Sequence, residues 1–519
     1  MSARKLFLVL VTLFCFVKTN EGAKILGWSA MPAPSHNFLG KAIFRALAEA
    51  GHDVTVVTSF HEETPPKNGK WREILLKGFY EKMTKQFATM NFFDDGKKLS
   101  FGFMNIYKMV LQLTEDTLSY PEVQNLIKSG EKFDVVIVSQ FMNEAHYMLA
   151  PHFNAHLIGL STIGSSNWNN YLVGNPSLPS VDREMMLSHP RRMNFFQRSL
   201  NTLVSVINYL ARTFYLLPNH AELTKKYISD KIDFEKELYN VSLVLLNSHP
   251  SVSDPKPHVP NMVEIGGFHI KEPKPLPEDL KKLLDGAKHG VIYFSMGSNI
   301  KSKDLPVEKR NVILKAFGKR KETILWKFEE DSLPGKPKNV IIRKWFPQQD
   351  ILAHPKVKVF WTHGGLLSTT ETVYHGVPIL ATPILGDQAT NAQGAKDEGY
   401  GLILPYADID ENSLNGMLDE LVSNPKYRKN VKTRSKIMRD RKVHPLDEAV
   451  YWVEYVIRHN GAKHLRMWYV EMPWYQYYLL DVIFAVFAVI CLALYVIKKM
   501  CSLCCRRYKK TTSKKMKKN

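Results

Sequence analysis

The segment of residues 345–388 restricts the possible fold of this chain more than any other part of the sequence. It contains a short apolar run at 357–361, then Thr-His-Gly-Gly at 362–365, and then a helical pattern at 369–375. This order predicts a buried strand, a tight glycine turn and the first part of a helix. A glycine turn that leads into a helix presents free backbone N–H groups to an anion, which is how an α/β fold holds a diphosphate.

The same segment contains side chains that suit the rest of a nucleotide. His363 and Ser368 would add side-chain donors beside the glycine turn, and Glu371 could accept hydrogen bonds from ribose hydroxyls. Trp345 offers a flat face on which a base can stack. His-Gly-Gly alone would fit an ordinary βα unit, but the complete ordered set predicts a nucleotide site.

This segment resembles the donor-binding signature of the UDP-glycosyltransferases. The resemblance extends along nearly the whole chain, from a His in the first βα loop to a membrane anchor and a basic tail. The Thr-His-Gly-Gly-Leu-Leu-Ser-Thr sequence at 362–369 looks most like the insect members. The resemblance implies a UDP-sugar donor, with Trp345 and Gln348 on the uracil and Glu371 on the ribose. The implied donor-binding residues are Ser295, Trp345, Gln348, His363, Gly365, Ser368, Glu371, Asp387 and Gln388.

Two of these contacts concern the phosphates and the transferred sugar. Ser295 lies in Phe-Ser-Met-Gly-Ser at 294–298, and the resemblance makes it a second phosphate contact. Asp387 and Gln388 are implied to bind sugar hydroxyls, which an adjacent carboxylate and amide can do. We identify no Asp-x-Asp pair suited to a divalent cation in the second domain, so neither a metal nor another cofactor is expected. Helix N-termini and polar side chains would then stabilise the leaving diphosphate.

The chain has 519 residues, too many for one hydrophobic core, and its patterns predict two α/β domains. The first domain begins with a strand at 24–28, a helix at 37–50 and a strand at 53–58. Its further strands are predicted at 133–138, 157–160 and 243–247, with mostly helical segments at 71–126 and 185–231. The Phe, Met and Tyr stripes of those segments predict core packing, and some would line an acceptor pocket. A second series of strands is predicted at 290–295, 323–327, 340–344, 357–361, 378–383 and 401–404.

The predicted fold is two doubly wound, Rossmann-like α/β domains facing each other across a cleft, which is the GT-B arrangement that the resemblance also implies. A proline-spaced linker at 272–277 separates them. The predicted boundaries are 1–22 for a signal peptide, 23–270 for the acceptor-binding domain, 271–286 for the linker, 287–440 for the UDP-sugar-binding domain, 441–476 for return helices packing on the first domain, 477–497 for a transmembrane helix and 498–519 for a basic cytosolic tail.

Apolar runs at both ends predict a membrane protein. The run at 6–17 predicts a cleaved signal peptide, with a retained N-terminal anchor as the alternative. The run at 477–497 is long enough to cross a bilayer, and ten Lys or Arg without Asp or Glu follow it. The positive-inside rule places this tail in the cytosol. We therefore expect a single-pass type I protein of the endoplasmic reticulum membrane with luminal domains, and Lys515 and Lys517 resemble a dilysine retrieval signal.

Charge and cysteine content exclude some other classes. The formal net charge is +20, but about half of it lies in the tail, so nucleic acid is not an expected partner. The chain has no Cys between Cys15 and Cys491, so the luminal part needs no disulfide. Cys501, Cys504 and Cys505 suit palmitoylation or remain unmodified thiols. The one glycosylation sequon begins at Asn240.

His36 is the predicted general base. It lies in Pro-Ser-His-Asn at 34–37, at a helix N-terminus whose positive end would lower its pKa and keep the imidazole neutral. The family places its base in the same loop. Relatives carry a carboxylate at the end of the strand that corresponds to 135–138, where it supports this His. This chain has Ser139 and Gln140 at that place. Glu144, about one helical turn further on, is the candidate substitute.

The predicted function is transfer of a hexose, with inversion at the anomeric carbon, to a hydroxyl of a small lipophilic acceptor, as in xenobiotic detoxification or hormone or odorant conjugation. Leu246 occupies the position where glucuronate-using relatives carry Arg, which favours UDP-glucose as donor. Two alternatives stay open: a catalytically weak or silent UDP-sugar- and lipophile-binding protein, and a glycosyltransferase for membrane lipids. Homo-oligomerisation also stays open.

Overall fold

The computed structural model describes residues 22–89, 93, 103–185 and 187–516. Residues 1–21, which hold nearly all of the predicted signal peptide, and Lys517 of the predicted retrieval signal lie outside the described residues. The chain divides into two compact units, Met1–Arg466 and Met467–Asn519. The first unit contains both β-sheets.

The first sheet is entirely parallel. Its strands are β1 (Lys24–Ser29), β2 (Asp53–Thr58), β3 (Lys70–Leu75), β4 (Val135–Ser139), β5 (His156–Ser161), β6 (Val241–Leu246) and β7 (Met262–Glu264). They are ordered β3-β2-β1-β4-β5-β6-β7. Every residue of β4 and β6 is buried, because a parallel sheet is covered on both faces. Such strands are continuous apolar runs, and the sequence predicts β1, β2, β4, β5 and β6 to within two residues.

Strands β3 and β7 are not predicted, and the mostly helical assignment of 71–126 is wrong at its start. β3 is an edge strand with the sequence Lys-Trp-Arg-Glu-Ile-Leu, and none of its residues is fully buried. Polar residues protect a sheet edge from pairing with another chain. They also remove the apolar pattern by which a buried strand is recognised. β7 lies at the opposite edge and is only three residues long.

The first helix is Pro34–Glu49 and begins three residues before its predicted start. Pro34 occupies the first helical position, where its missing N–H would have no partner inside the helix in any case. Ala33 is the extended N-cap residue. His36 therefore lies within the first helical turn.

The second sheet is also entirely parallel. Its strands are β8 (Val291–Ser295), β9 (Thr323–Lys327), β10 (Val340–Arg343), β11 (Val357–Thr362), β12 (Ile379–Ala381) and β13 (Gly401–Ile403), in the order β10-β9-β8-β11-β12-β13. All six correspond to predicted strands. Phe294 of β8 stacks on Trp361 of β11 with ring centroids 4.0 Å apart. Both rings are buried in the core on one face of the sheet.

Helices cover both faces of each sheet. The longer helices around the first sheet are Pro34–Glu49, Phe79–Thr89, Phe103–Leu118, Pro121–Lys128, Phe195–Ala211 and Leu217–Tyr227. The shorter ones are Leu149–His152, Asn167–Asn170 and Phe234–Leu238. Those of the second domain are Glu278–Asp285, Val307–Gly318, Gln348–Ala353, Leu366–His375, Gln388–Asp397, Glu411–Ser423 and Pro425–Arg439.

The helix Pro445–Arg458 follows the second domain in sequence but packs on the first sheet. Its buried residues Ala449, Val453 and Val456 belong to the same core cluster as Ile25 of β1. Their spacing of four and three residues places them on one helix face. The chain therefore returns to the first domain after it completes the second.

The second unit contains the helices Trp474–Tyr477 and Leu480–Met516. Within the described part of the chain, one segment is long and apolar enough to cross a membrane, Leu480–Tyr508. It starts three residues after the predicted boundary at 477 because Leu479 has a φ of 56°, a left-handed conformation that interrupts a helix. Two doubly wound α/β domains followed by a single apolar C-terminal helix are thus confirmed.

The Phe294 stack gives a stability prediction. Replacing Phe294 by Ala leaves a cavity under Trp361 and should cost about 3–5 kcal/mol of unfolding free energy in the second domain. Thermal unfolding of the detergent-solubilised protein measures this as a lower transition temperature. Val307→Ala is the matched control, because Val307 is 53% exposed and its loss should cost about 0.5 kcal/mol or less. Equal transition temperatures for the two variants would contradict the assignment of Phe294 to the core.

Candidate active site

The predicted glycine turn lies at the end of β11. Gly364 has a φ of 85°, which a residue with a side chain rarely adopts. Gly365 is the N-cap of the helix Leu366–His375 and has no side chain to cap it, but the Asp387 carboxylate accepts a hydrogen bond from the Leu366 N–H. The N–H groups that follow, of Leu367 and Ser368, have no partner within the helix. With the positive end of the helix dipole, they form a site for an anion such as a diphosphate.

His363 and Ser295 lie beside this turn at the carboxyl ends of neighbouring strands. Ser295 of β8 is paired with Thr362 of β11, and a Cβ on Gly297 would collide with the His363 ring. Burial, assisted by the charge of Lys327, lowers the pKa of His363 to about 4. The ring is therefore neutral near pH 7 and can donate one hydrogen bond to a phosphate oxygen.

Asp387 and Gln388 lie on the other side of the turn. Asn391 joins the two parts, because its Nδ2 donates to the Gly364 carbonyl oxygen (3.0 Å) and to the Asp387 carboxylate (2.7 Å). Gln388 is fixed by two backbone N–H groups of the preceding loop, which donate to its amide oxygen. Burial raises the pKa of Asp387. Asn391 was not identified from the sequence, where only its i+4 spacing from Asp387 could have signalled it.

Trp345 and Gln348, the residues predicted to contact the base, lie near Ser368 and Glu371. The Trp345 side chain is 69% exposed, and the Lys327 ammonium lies 6.0 Å from its ring centroid. Gln348 Nε2 donates to Ser368 Oγ (3.1 Å) and to Glu371 Oε2 (2.6 Å). An exposed aromatic face next to an anchored amide suits stacking and edge contacts with a planar base.

Glu371 is buried next to a histidine that the sequence did not indicate. Burial raises the pKa of Glu371 to about 7, although the side-chain amides of Gln348 and Gln349 donate to its oxygens. His269, at the end of the first domain, has its Nε2 3.8 Å from Glu371 Oε1. Burial lowers the pKa of His269 to about 4. A single His after Gly-Gly-Phe has no motif spacing, so the sequence contained no signal for this pair.

His36 is half-buried and its environment differs from the predicted one. Burial lowers its pKa to about 4, which keeps the ring neutral near pH 7, and His36 lies in the first helical turn as predicted. Its Nδ1 lies 2.9 Å from Thr162 Oγ1, and its ring packs edge-on against Phe141 at 5.3 Å. In the tautomer whose Nδ1–H donates to Thr162, Nε2 is the free and basic nitrogen.

The prediction that Glu144 is the partner of His36 is wrong. Its carboxylate accepts from Tyr171 Oη (2.7 Å) and pairs with His220 Nε2 (3.2 Å), and it is fully buried in that cluster. Ser139 and Gln140 are also buried, and neither is hydrogen-bonded to His36. The partner is instead Thr162, directly after β5. The sequence feature that could have identified Thr162 is its position just after a predicted strand.

A cleft between the two domains is lined on both sides by residues next to the candidate functional groups. Ile163, next to Thr162, lines it from the first domain. Leu366 and Asn391, next to the glycine turn and Asp387, line it from the second. The cleft therefore lies beside the partner of the candidate base and beside the glycine turn.

Aromatic side chains extend from His36 into the first domain. Phe141 packs edge-on against Trp168 with ring centroids 5.5 Å apart. Both rings lie on an apolar cluster that contains Tyr107 and Leu216. An apolar wall beside a basic imidazole is suited to hold a lipophilic hydroxyl compound.

Leu246 and Asn240 are the remaining residues to which the sequence assigned a role, in donor choice and in glycosylation. Leu246 is the last residue of β6 and is fully buried, so it offers no charge to a sugar carboxylate. Asn240 is exposed just before β6, where its Nδ2 donates to Glu237 (2.7 Å) and its Oδ1 accepts from Arg466. One Nδ2 hydrogen remains for attachment of a glycan.

Comparison with known proteins agrees with this arrangement. Residues 23–516 match the family model described as UDP-glucoronosyl and UDP-glucosyl transferase. The chain belongs to this family. It is therefore a UDP-glycosyltransferase, which uses a UDP-sugar donor and an acceptor substrate. The insect-like character noted in the sequence is also confirmed by the relatives.

Among those relatives, UDP-glucosyltransferase 2 of Dactylopius coccus is 34% identical over 517 residues, covering 99% of each chain. Human 2-hydroxyacylsphingosine 1-beta-galactosyltransferase is 30% identical over 486 residues, covering 91% of this chain and 87% of that protein. The crystal structure of the calicheamicin glycosyltransferase CalG4 superposes with a TM-score of 0.57 at 16% identity, covering 84% and 99%. The fold is accordingly GT-B.

The His36–Thr162 contact predicts a specific loss of turnover. Thr162→Val removes the acceptor for Nδ1–H, and kcat should fall about 10- to 100-fold, the loss usual when a group that orients a functional His is removed. The KM for the UDP-sugar should stay unchanged, because Thr162 does not belong to the nucleotide site. Thr162→Ser keeps the hydroxyl and should retain most activity. An unchanged kcat in the Val variant would show that another group orients His36.

The pKa of Glu371 predicts how donor binding depends on pH. With its pKa near 7, this carboxyl loses its charge as the pH falls below 7 and then accepts hydrogen bonds from ribose less well. The KM for the UDP-sugar should therefore rise as pH is lowered from 8 to 6, by about tenfold at most per unit. In Glu371→Gln the KM should be high and independent of pH. At saturating donor, kcat should fall only near pH 4–5, where His36 becomes protonated.

Proposed function

We propose that this protein transfers glucose from UDP-glucose to a hydroxyl group of a small lipophilic acceptor, with inversion at the anomeric carbon. The single observation that carries this proposal is the cleft lined by Ile163, next to the His36 partner Thr162, and by Leu366, the first residue of the helix after the glycine turn. The apolar wall formed by Phe141 and Trp168 supports a lipophilic acceptor.

The chemistry follows from this placement. His36 Nε2 takes the proton of the acceptor hydroxyl while the acceptor oxygen attacks the anomeric carbon. The bond between that carbon and the diphosphate oxygen breaks, and UDP leaves with the electron pair. The N–H groups at the start of the helix Leu366–His375 and the neutral His363 stabilise the charge that develops on the diphosphate. Attack from the face opposite the leaving group inverts the configuration.

The donor assignment depends on Leu246 and on the pairing of the cations that line the cleft, because Arg183 pairs with Asp254 and Lys256 pairs with Asp182. Leu246 places a buried apolar side chain at the position from which glucuronate-using relatives are expected to supply Arg. The Asp387–Asn391 pair offers hydrogen bonds suited to neutral sugar hydroxyls. An unpaired, desolvated carboxylate would cost several kcal/mol.

A membrane-lipid acceptor is the second candidate. The human relative named 2-hydroxyacylsphingosine 1-beta-galactosyltransferase is 30% identical over most of the chain. The aromatic wall beside His36 suits an acyl chain as well as a compact aromatic compound. A catalytically silent binding protein is less well supported, because Thr162 gives His36 a hydrogen-bonding partner despite the missing carboxylate.

We further propose that the protein is a type I membrane protein of the endoplasmic reticulum with its two domains in the lumen. The candidate span Leu480–Tyr508 and the basic sequence that follows it support this orientation. The exposed Asn240 is available for glycosylation there. No metal ion or other cofactor is required in this scheme.

A turnover assay on microsomes containing the full chain tests the proposal. UDP-glucose should be used in preference to UDP-glucuronate with a panel of phenols and hydroxylated sphingolipids as acceptors. His36→Ala should reduce kcat about 10²- to 10⁴-fold, the contribution typical of a general base, while UDP binding persists. A higher kcat/KM with UDP-glucuronate would overturn the donor assignment, and near-normal turnover of His36→Ala would overturn the assignment of the base.

A further inference from the structure

A loop of the first domain, residues 182–193, contacts the helix Gln388–Asp397 of the second domain. The backbone N–H of Arg191 donates to the Asp397 carboxylate (3.0 Å), and the Arg191 guanidinium pairs with Glu398 at 2.7 Å. Asp397 is the last residue of this helix, and Glu398 is its C-cap. One residue of the first domain therefore binds both carboxylates at the end of a helix in the second domain.

The same guanidinium is also fixed on the side of the first domain. Its Nε and Nη2 donate to Asp254 Oδ1, at 2.9 and 2.7 Å. Asp254 accepts in addition from Arg183, whose side chain is only 6% exposed and whose Nη1 donates to the His189 carbonyl oxygen (2.9 Å). A single half-exposed ion pair contributes little, but partners on both sides hold the Arg191 side chain in one position. Arg191 therefore joins a largely buried part of the first domain to the second domain.

The two carboxylates are unfavourably placed within their own helix. The C-terminal end of a helix carries a partial negative charge, which repels Asp397 and Glu398. Within the second domain, Arg434 pairs with Glu398. Asp397 instead faces the first domain, where it accepts from the Arg191 N–H and lies 3.9 Å from the Arg183 guanidinium. A locally unfavourable arrangement that a neighbouring domain offsets is expected where function requires it.

The opposite end of this helix carries the residues predicted to bind the transferred sugar. Asp387 is its N-cap and Gln388 its first residue. Asn391, one turn further on, donates to the Asp387 carboxylate (2.7 Å) and to the Gly364 carbonyl oxygen (3.0 Å). A helix of 10 residues is about 15 Å long and moves as a unit, so the position of its C-terminal end also sets the direction of its N-terminal end.

We propose that Arg191 is a positioning residue for the donor sugar. By holding the end of the helix Gln388–Asp397, it sets where Asp387 and Gln388 lie relative to the first domain, and hence where the anomeric carbon lies relative to His36. Arg191 does not itself touch the donor in this scheme. This role rests on the proposed function, in which Asp387 and Gln388 bind the transferred sugar, but not on which sugar is transferred.

Ligand binding to the full-length protein in detergent tests this role. Arg191→Gln removes the charge, and Arg192→Gln is the matched control, because Arg192 is the neighbouring exposed Arg. Isothermal titration calorimetry measures the Kd of UDP, UDP-glucose and UDP-glucuronate for each variant. In Arg191→Gln, the Kd of the preferred UDP-sugar should rise about 3- to 10-fold, within the range usual for residues that couple distant sites. The Kd of UDP should stay unchanged, because the residues predicted to bind UDP lie outside the helix Gln388–Asp397.

Hydrogen–deuterium exchange of the ligand-free variants tests the contact separately from donor binding. The amides of residues 390–398 should exchange faster in Arg191→Gln than in Arg192→Gln, because the end of the helix loses its partner. Glu398→Gln removes the same contact from the other side, so in the double variant the Kd should rise by less than the product of the two single factors. Arg191→Lys keeps the charge and should show a smaller rise, and it replaces Arg191→Gln if thermal unfolding shows that the Gln variant is not folded.

Equal increases in the Kd values of UDP and the UDP-sugars would overturn the proposal, as would unchanged exchange of residues 390–398. A rise in the double variant equal to the product of the single factors would also contradict it, since Arg191 and Glu398 would then act independently. A preference of the unmodified protein for UDP-glucuronate would overturn the donor assignment and leave the role of Arg191 intact.

Discussion

The parallel direction of all strands in both sheets is the constraint on which the candidate site depends. Because the strands of each sheet run the same way, their carboxyl ends share one edge, and ligands bind there in open α/β sheets. His36 follows β1 and Thr162 follows β5, while Ser295 and His363 lie at the ends of β8 and β11. Four groups that are distant in sequence thus lie at the carboxyl edges of the two sheets without any further structural device.

The second common property of the site is burial of groups that would otherwise be charged. Desolvation lowers the pKa values of His36 and His363 and raises those of Glu371 and Asp387, so each shift favours the neutral form. A low-dielectric cleft strengthens the remaining electrostatic interactions. The charge of Lys327 adds to the shift of the His363 pKa in this environment.

The sequence predicted those parts of the site whose residues are close together in the chain. The residues from Trp345 to Glu371 lie in one contiguous segment, so their order alone placed the strand, the turn and the helix. Groups contributed by other strands had no such signal, and Thr162 and His269 were missed for that reason. Glu144 was misassigned because its position in the chain does not show which way its side chain points. The 3₁₀ turn that contains it directs the carboxylate toward His220. The polar edge strand β3 was missed because it lacks an apolar run.

The helix Phe195–Ala211 shows the same limitation for amphipathic patterns. An apolar stripe predicts a helix and a face, but not whether that face lies against the domain or away from it. Here the buried carboxylate of Glu184, held by Ser205 and Asn208, decides the orientation. The end of this helix, at Ala211, packs against the apolar cluster that includes Phe141 and Trp168 beside His36. The end of the helix therefore supports the aromatic wall beside His36, so the hydrogen bonds of Glu184 that fix the helix also fix one part of that wall.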